Sequence, residues 1–143
     1  MSNFRREGLV DVALVGAGGV LGTFLRYGLE SIWPRHPALA VLTINLSGSL
    51  AIGAVGALFL EVGILSARAR LFLGVGVLGG YTTFSTFVLI LVQDLLVGPA
   101  WRAPLYLALS AVGGFLGTGL GAAAVRWLQR KRTGNFNPEA GSG

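Results

Sequence analysis

Four long apolar stretches alternate with short polar connections along this chain: about Leu9 to Leu29, Ala38 to Val62, Leu71 to Val97 and Pro104 to Leu128. Each has the 20 or so residues that a helix needs to cross a bilayer's hydrocarbon core. The third differs, because its middle reads Gly79-Gly80-Tyr81-Thr82-Thr83-Phe84-Ser85-Thr86-Phe87, two glycines and four Ser/Thr hydroxyls between apolar flanks. Unpaired backbone in lipid costs several kcal/mol per group, so an interrupted span must bury its break in protein or line a cavity with it. The pattern predicts an all-α membrane protein of four transmembrane helices, the third broken at its centre at Gly79-Gly80.

Composition supports the membrane reading. Of 143 residues, 53% are hydrophobic and 12% charged, about half the charged share of a soluble domain; the mean hydropathy is +0.71. There is no cysteine, which excludes disulfides, thiolate metal sites and cysteine nucleophiles. His36, between Arg35 and Pro37, reads as a solvated loop residue. The net charge of +5 gathers at segment ends and in the tail, a membrane-edge pattern that argues against nucleic acid. The first stretch follows Arg5 and Arg6 but is too long for a signal-peptide core, so it reads as a retained helix. Residues 1–132 form one four-helix domain with both ends on one side; Thr133 to Gly143 reads as a disordered tail.

Within the spans, small residues recur at helical spacing. Gly18 and Gly22 share a face with Arg26, which either snorkels to the headgroups, anchors a hydrogen bond or attracts ions in a vestibule. Asn45, Gly48, Ser49, Ile52, Gly53 and Gly56 form a partly polar stripe, in which Asn45 is interhelical glue or lines a path. Gly113, Gly117 and Gly121 are a close-packing face, and Tyr106, Ser110, Gly114 and Thr118 run beside it. The acids sit near segment ends or in the tail, and no triad, carboxylate pair or metal spacing occurs, so an enzyme is not expected.

Taken as regular helix, Phe84 and Phe87 lie on one face and Thr82, Ser85 and Thr86 nearly opposite, which suits a helix beside a two-fold axis with a pathway on each side. Hydroxyl and amide hydrogens and the positive edges of phenyl rings suit a small, strongly hydrated anion. A lysine or arginine ring would hold that ion too tightly to release it. Carbonyls exposed by a break, such as those of Gly79 and Thr82, can hold a monovalent cation if a second subunit adds two more. The simpler reading of Gly79-Gly80 is a packing kink.

At these residues the chain resembles the Fluc (CrcB) fluoride channels. The likeness covers roughly Leu9 to Leu128 and rests on Gly22-Thr-Phe-Leu-Arg26-Tyr27, Thr43-Ile-Asn45-Leu-Ser-Gly48, Gly79 to Phe87, and Tyr106 with Ser110. It implies an antiparallel, dual-topology homodimer in the inner membrane, with two fluoride pores and a central structural sodium ion, exporting fluoride passively from the cytoplasm. By the resemblance Phe84 and Phe87 form the aromatic box, Asn45 the pore amide, Ser85 and Thr86 the polar track, Tyr106 and Ser110 the fourth-helix lining, and the carbonyls of Gly79 and Thr82 the sodium site; Arg26 is a vestibule candidate. A small four-helix multidrug exporter is the alternative, but it wants a membrane-embedded carboxylate that this chain lacks. A structural membrane protein without transport leaves the donors and phenyls of the third span unexplained.

Two departures stand out. Family members often carry a glutamate one helical step after the second phenylalanine, where this chain has Ile90. The side holding both termini carries Arg5, Arg6, Arg68, Arg70, Arg126, Arg130, Lys131 and Arg132, against Arg35 and Arg102 opposite. The positive-inside rule then favours one orientation, with termini in the cytoplasm, and raises the possibility of a heterodimer with an oppositely oriented paralogue beside the ordinary homodimer. Accessibility of a terminal tag in intact cells tests this: a predominantly cytoplasmic tag is expected from the bias, and equal labelling of both sides would remove the idea.

Overall fold

The computed structural model describes residues 2–134; the expected tail lies almost entirely outside them. Helix α1 is Ser2–Ile32 and α2 is Pro37–Leu60; a short α3, Ala67–Arg70, runs into a π-helical segment, Leu71–Val77, and a single turn, α4, Leu78–Tyr81. After a break come α5, Ser85–Val97, and α6, Arg102–Gly134. Four spans are long and apolar enough to cross a membrane: Glu7–Ile32, Pro37–Leu60, Ala67–Val97 and Arg102–Arg132. The protein is a multi-pass membrane protein. Its outer helices run further than the apolar stretches suggested, because α1 and α6 continue as helix into their polar ends.

Local chemistry sets the boundaries. Pro37 opens α2 where its missing N–H costs nothing. The Ser66 side chain accepts from the Ala69 N–H at 3.1 Å and caps α3. The third span starts at Ala67, earlier than the sequence pattern placed it, and its first half is loosened by π-helical bonding over Leu71–Val77.

Two layers of close packing build the bundle. Helix α2 lies along α6, while α1 lies along the π-helical segment and α4. On α6, Gly121 meets the Leu50 carbonyl so closely that no Cβ fits, and Gly117 approaches the Leu46 carbonyl; from α2, Gly53 meets Thr118 backbone in the same way. On α1, a Cβ at Gly18 would lie 2.9 Å from the Cα of Gly76, and Gly22 fits only against the Val77 carbonyl. Without a hydrophobic driving force in lipid, such backbone approach and its dispersion contacts are what hold helices together.

Charges clamp the end that holds the termini. Arg126 Nη1 donates to Glu61 Oε1 at 2.9 Å, tying α6 to the end of α2, and Arg68 pairs with Asp11 at 3.5 Å, tying α3 to α1. The paired side chains are about half exposed to solvent, so each pair contributes on the order of 1 kcal/mol or less. Glycine packing carries the stability. Gly121→Ala is therefore expected to cost about 1–3 kcal/mol by overpacking, whereas Gly119→Ala, facing open space, leaves stability unchanged or slightly raised; thermal unfolding in detergent, compared between the two, checks this.

Candidate functional site: the break in the third span

The break does not fall at Gly79-Gly80. Both glycines belong to the helical turn α4, and Gly80 seats directly on the backbone of Gly19 in α1. The chain leaves the helix at Thr82, whose ψ is 156°, and re-enters it from Phe84 into α5. Consequently the regular-helix projection of this stretch applies only from Ser85 onward.

Asn45 makes the break. Thr83 N–H donates to Asn45 Oδ1 at 2.9 Å, and Asn45 Nδ2 donates to the Thr83 carbonyl at 2.9 Å. In an unbroken helix the Thr83 N–H would donate to the carbonyl of Gly79; here the side chain of α2 takes it, and the Gly79 carbonyl is released. The next turn is capped by hydroxyls. The Thr86 N–H donates to Thr83 Oγ1 at 3.2 Å rather than to the Thr82 carbonyl, and the two threonine hydroxyls lie 3.1 Å apart. Thr83 is buried, so each of these bonds replaces one that water cannot supply.

Thr83 was not among the residues singled out by pattern. Its signal was present as a threonine three residues ahead of Thr86 at the start of an apolar run, the spacing of a helix N-cap. Tyr81 and Ser47 were also passed over; their hydroxyls lie 2.8 Å apart and pin α4 to α2. Thr82 spends its own hydroxyl on the Leu78 carbonyl at 2.9 Å, and its methyl group seats against Gly48.

The phenyl and hydroxyl groups then sort themselves. Phe87 packs between Phe84, at a ring-centroid distance of 5.9 Å, and Tyr106 of α6, at 5.3 Å. Phe87 is partly buried against Val41, Ile90 and Tyr106, but Phe84 is 77% exposed and projects from the subunit. Ser85 is exposed. One turn apart on α6, the Tyr106 hydroxyl and the Ser110 Oγ are both buried and have no hydrogen-bond partner among the described residues. An unsatisfied buried hydroxyl costs about 1–3 kcal/mol. Each is a buried polar group that no protein group among the described residues satisfies.

A cavity of about 410 Å³ opens onto Tyr106 from the end of the bundle opposite the termini. It lies between the start of α2, the end of α5 and the start of α6, with Arg35, His36, Gln93, Asp94 and Arg102 in its walls and Ile90 and Tyr106 deeper. Ile90, where a glutamate was noted as missing, is buried in the core beside Tyr106. Arg26 stands apart from this group, half-buried on α1 beyond Gly22, with no ion pair among the described residues. Among the described residues no cluster of histidines and acids has metal-binding spacing.

These features define a class: a small multi-pass membrane protein whose third span is interrupted near its middle, with a cavity reaching Tyr106, on which Phe87 of that span stacks. The chain belongs to the CrcB family, since the family described as "CrcB-like protein, Camphor Resistance (CrcB)" matches residues 13–122. It is 40% identical over 122 residues to the "Fluoride-specific ion channel FluC" of Chlorobium chlorochromatii, covering 82% of this chain and 93% of that one. It is 40% identical over 120 residues to the protein of the same name in Pseudomonas putida, covering 81% and 97%. With "Fluoride-specific ion channel FluC 2" of Nocardia farcinica it shares 38% over 116 residues, covering 79% and 83%.

Asn45→Ala removes both bonds to Thr83 while Thr83→Val removes only the hydroxyl cap. The first is expected to cost about 2–4 kcal/mol, from two buried bonds at about 1–2 each, and the second about 1 kcal/mol. Amide hydrogen exchange over residues 82–87 is the readout: protection falls sharply in Asn45→Ala and little in Thr83→Val.

Proposed function

We propose that this chain is a fluoride-selective channel that lets fluoride leave the cytoplasm down its gradient through the inner membrane. The observation that carries the reading is the buried, unpartnered hydroxyl of Tyr106, a residue that stacks on Phe87 and lines the cavity, with a second unpartnered hydroxyl, that of Ser110, one turn along α6. A small anion leaving water needs donors that replace its shell one at a time, and hydroxyl hydrogens do this without binding it as a full charge would. The family's relatives, named as fluoride channels, supply the ion's identity.

In this reading Arg35 and Arg102 raise the anion's concentration in the vestibule, and Asp94 offsets part of their field. The ion passes Tyr106 and Ser110, and the edges of Phe84 and Phe87 face it where water is excluded. Ser85 and Thr86 supply hydroxyls along the track. Asn45 keeps one amide N–H beyond that given to Thr83 and can donate it to the ion. Arg26 serves a vestibule on the other side of the bundle.

The working unit is an antiparallel homodimer with two pores. Phe84, projecting from the subunit at the centre of a span, supports a second copy completing each pathway. The released carbonyls of Gly79 and Thr82 fit a sodium ion at the two-fold axis: they are neutral oxygens with no N–H claiming them from the next turn, and there is no carboxylate to favour a divalent ion. When bound, sodium supplies a fixed crosslink between the broken spans of the two copies. A paralogue in place of one copy remains the alternative pairing.

Efflux from liposomes containing the purified protein tests the reading. Fluoride is expected to pass and chloride not, Phe84→Ile or Phe87→Ile to cut the flux severely, and Tyr106→Phe or Ser110→Ala, each removing one hydrogen bond of roughly 1.4 kcal/mol, to lower it about tenfold. Replacing sodium on both sides by a bulky organic cation should also reduce flux. No fluoride-selective flux in the unsubstituted protein would overturn the function; flux indifferent to sodium would overturn the cation site alone.

A further inference from the structure

A second cavity, of about 670 Å³, opens at the opposite end of the bundle, between the end of α2 and its following loop and the last turns of α6. Its walls are Leu58, Ile64, Val125 and Leu128, and its rim carries Lys131 and Arg132. The volume is in the range of about 300–1,000 Å³ typical of ligand clefts. It lies outside the pathway proposed above and does not depend on that reading.

We propose that this groove binds one anionic phospholipid, its phosphate held at the rim by Lys131 and Arg132 and part of one acyl chain laid along Leu58, Ile64, Val125 and Leu128. Charge selects the occupant. From Arg126 to Arg132, α6 presents Arg126, Arg130, Lys131 and Arg132 and no acid. Glu61, at the end of α2, is paired with Arg126 at 2.9 Å, and the cavity is lined by Lys131 and Arg132 and by no acid among the described residues, so the rim is positive.

The location fits a lipid. The groove lies where a membrane span gives way to its polar end, the depth at which a phosphate and the first carbons of a chain coexist. Lys131 Nζ sits 3.9 Å from the ring centroid of Trp127, and a tryptophan at this level marks the headgroup region. Apolar walls alone would accept any lipid; the two cations make the choice.

Trp127 also reports on the groove. In a Trp33→Phe/Trp101→Phe chain, Trp127 is the one remaining tryptophan of three, and both substituted positions lie at the far end of the bundle. Reconstituted in vesicles mixing phosphatidylglycerol and phosphatidylcholine, with bromine on the chains of one lipid at a time, its fluorescence measures which lipid sits beside it. A basic residue near an anionic surface is worth about 1 kcal/mol, or about fivefold, so quenching should favour phosphatidylglycerol at least fivefold. Lys131→Gln/Arg132→Gln should bring the two lipids to parity.

Equal quenching in the unsubstituted groove, or a preference that survives the double substitution, would overturn the proposal. So would quenching by neither lipid, the result if a second copy covers the groove, or loss of the preference to inorganic phosphate at matched ionic strength, the result if the rim holds a free anion. Native mass spectrometry of the otherwise unsubstituted protein, with and without the double substitution, gives an independent reading should the tryptophan variant not fold. Retained phosphatidylglycerol in preference to phosphatidylcholine is expected, lost with Lys131 and Arg132.

Discussion

A helix inside a bilayer can be interrupted only if another group takes over the hydrogen bonds that the interruption releases. Here Asn45 does so with both ends of one amide, matching the N–H and the carbonyl of Thr83. The consequences spread from that bracket. It fixes α2 against the third span, releases the Gly79 carbonyl, and lets the Thr83 hydroxyl start α5 in a new direction. Phe84 then leaves the subunit while Phe87 turns inward to Tyr106. A side chain on one helix thus decides the direction of two phenyl rings on another.

The bracket works only because the backbones can come close. Gly48 leaves room for the Thr82 methyl, and Gly80 lies on the Gly19 backbone where a Cβ on Gly80 would not fit. The π-helical segment contributes register. One extra residue in a helix rotates everything after it by about 100°, and with the segment in place Gly76 meets Gly18 while Gly80 meets Gly19. Glycine, usually a weakness inside a helix, is here the condition for packing, because lipid offers no hydrophobic force to substitute for contact.

Polarity is distributed with the same economy. The end opposite the termini carries Arg35, His36, Asp94 and Arg102 around a cavity, and the end holding the termini carries the larger cationic cluster beside an apolar groove. Between them the buried polar atoms left unfilled include two hydroxyls one turn apart on α6, one of them on a ring of the aromatic stack. A buried hydroxyl without a protein partner costs free energy, and a bound water or ion can supply the missing bond. The same logic separates Tyr106 and Ser110 from Thr82 and Thr83, whose hydroxyls already have protein partners.

Hydropathy alone determined the number of spans, the short connections and the special character of the third span, since a bilayer demands about 20 apolar residues in succession and penalises any departure. Glycine spacing determined which faces pack: the stripes through Gly18 and Gly22 and through Gly117 and Gly121 are buried contacts as their periodicity implied. The place of the break was decided by tertiary structure. Two adjacent glycines are the strongest local signal for it, yet they stay helical, because weakening a helix does not end one unless a competitor takes its bonds. That competitor is Asn45, 38 residues away in sequence, and no local pattern around Gly79-Gly80 contains it. The role of Thr83 and the outward projection of Phe84 follow from that contact, and the unfilled hydroxyls of Tyr106 and Ser110 depend on how α6 packs, so only the folded chain could decide them.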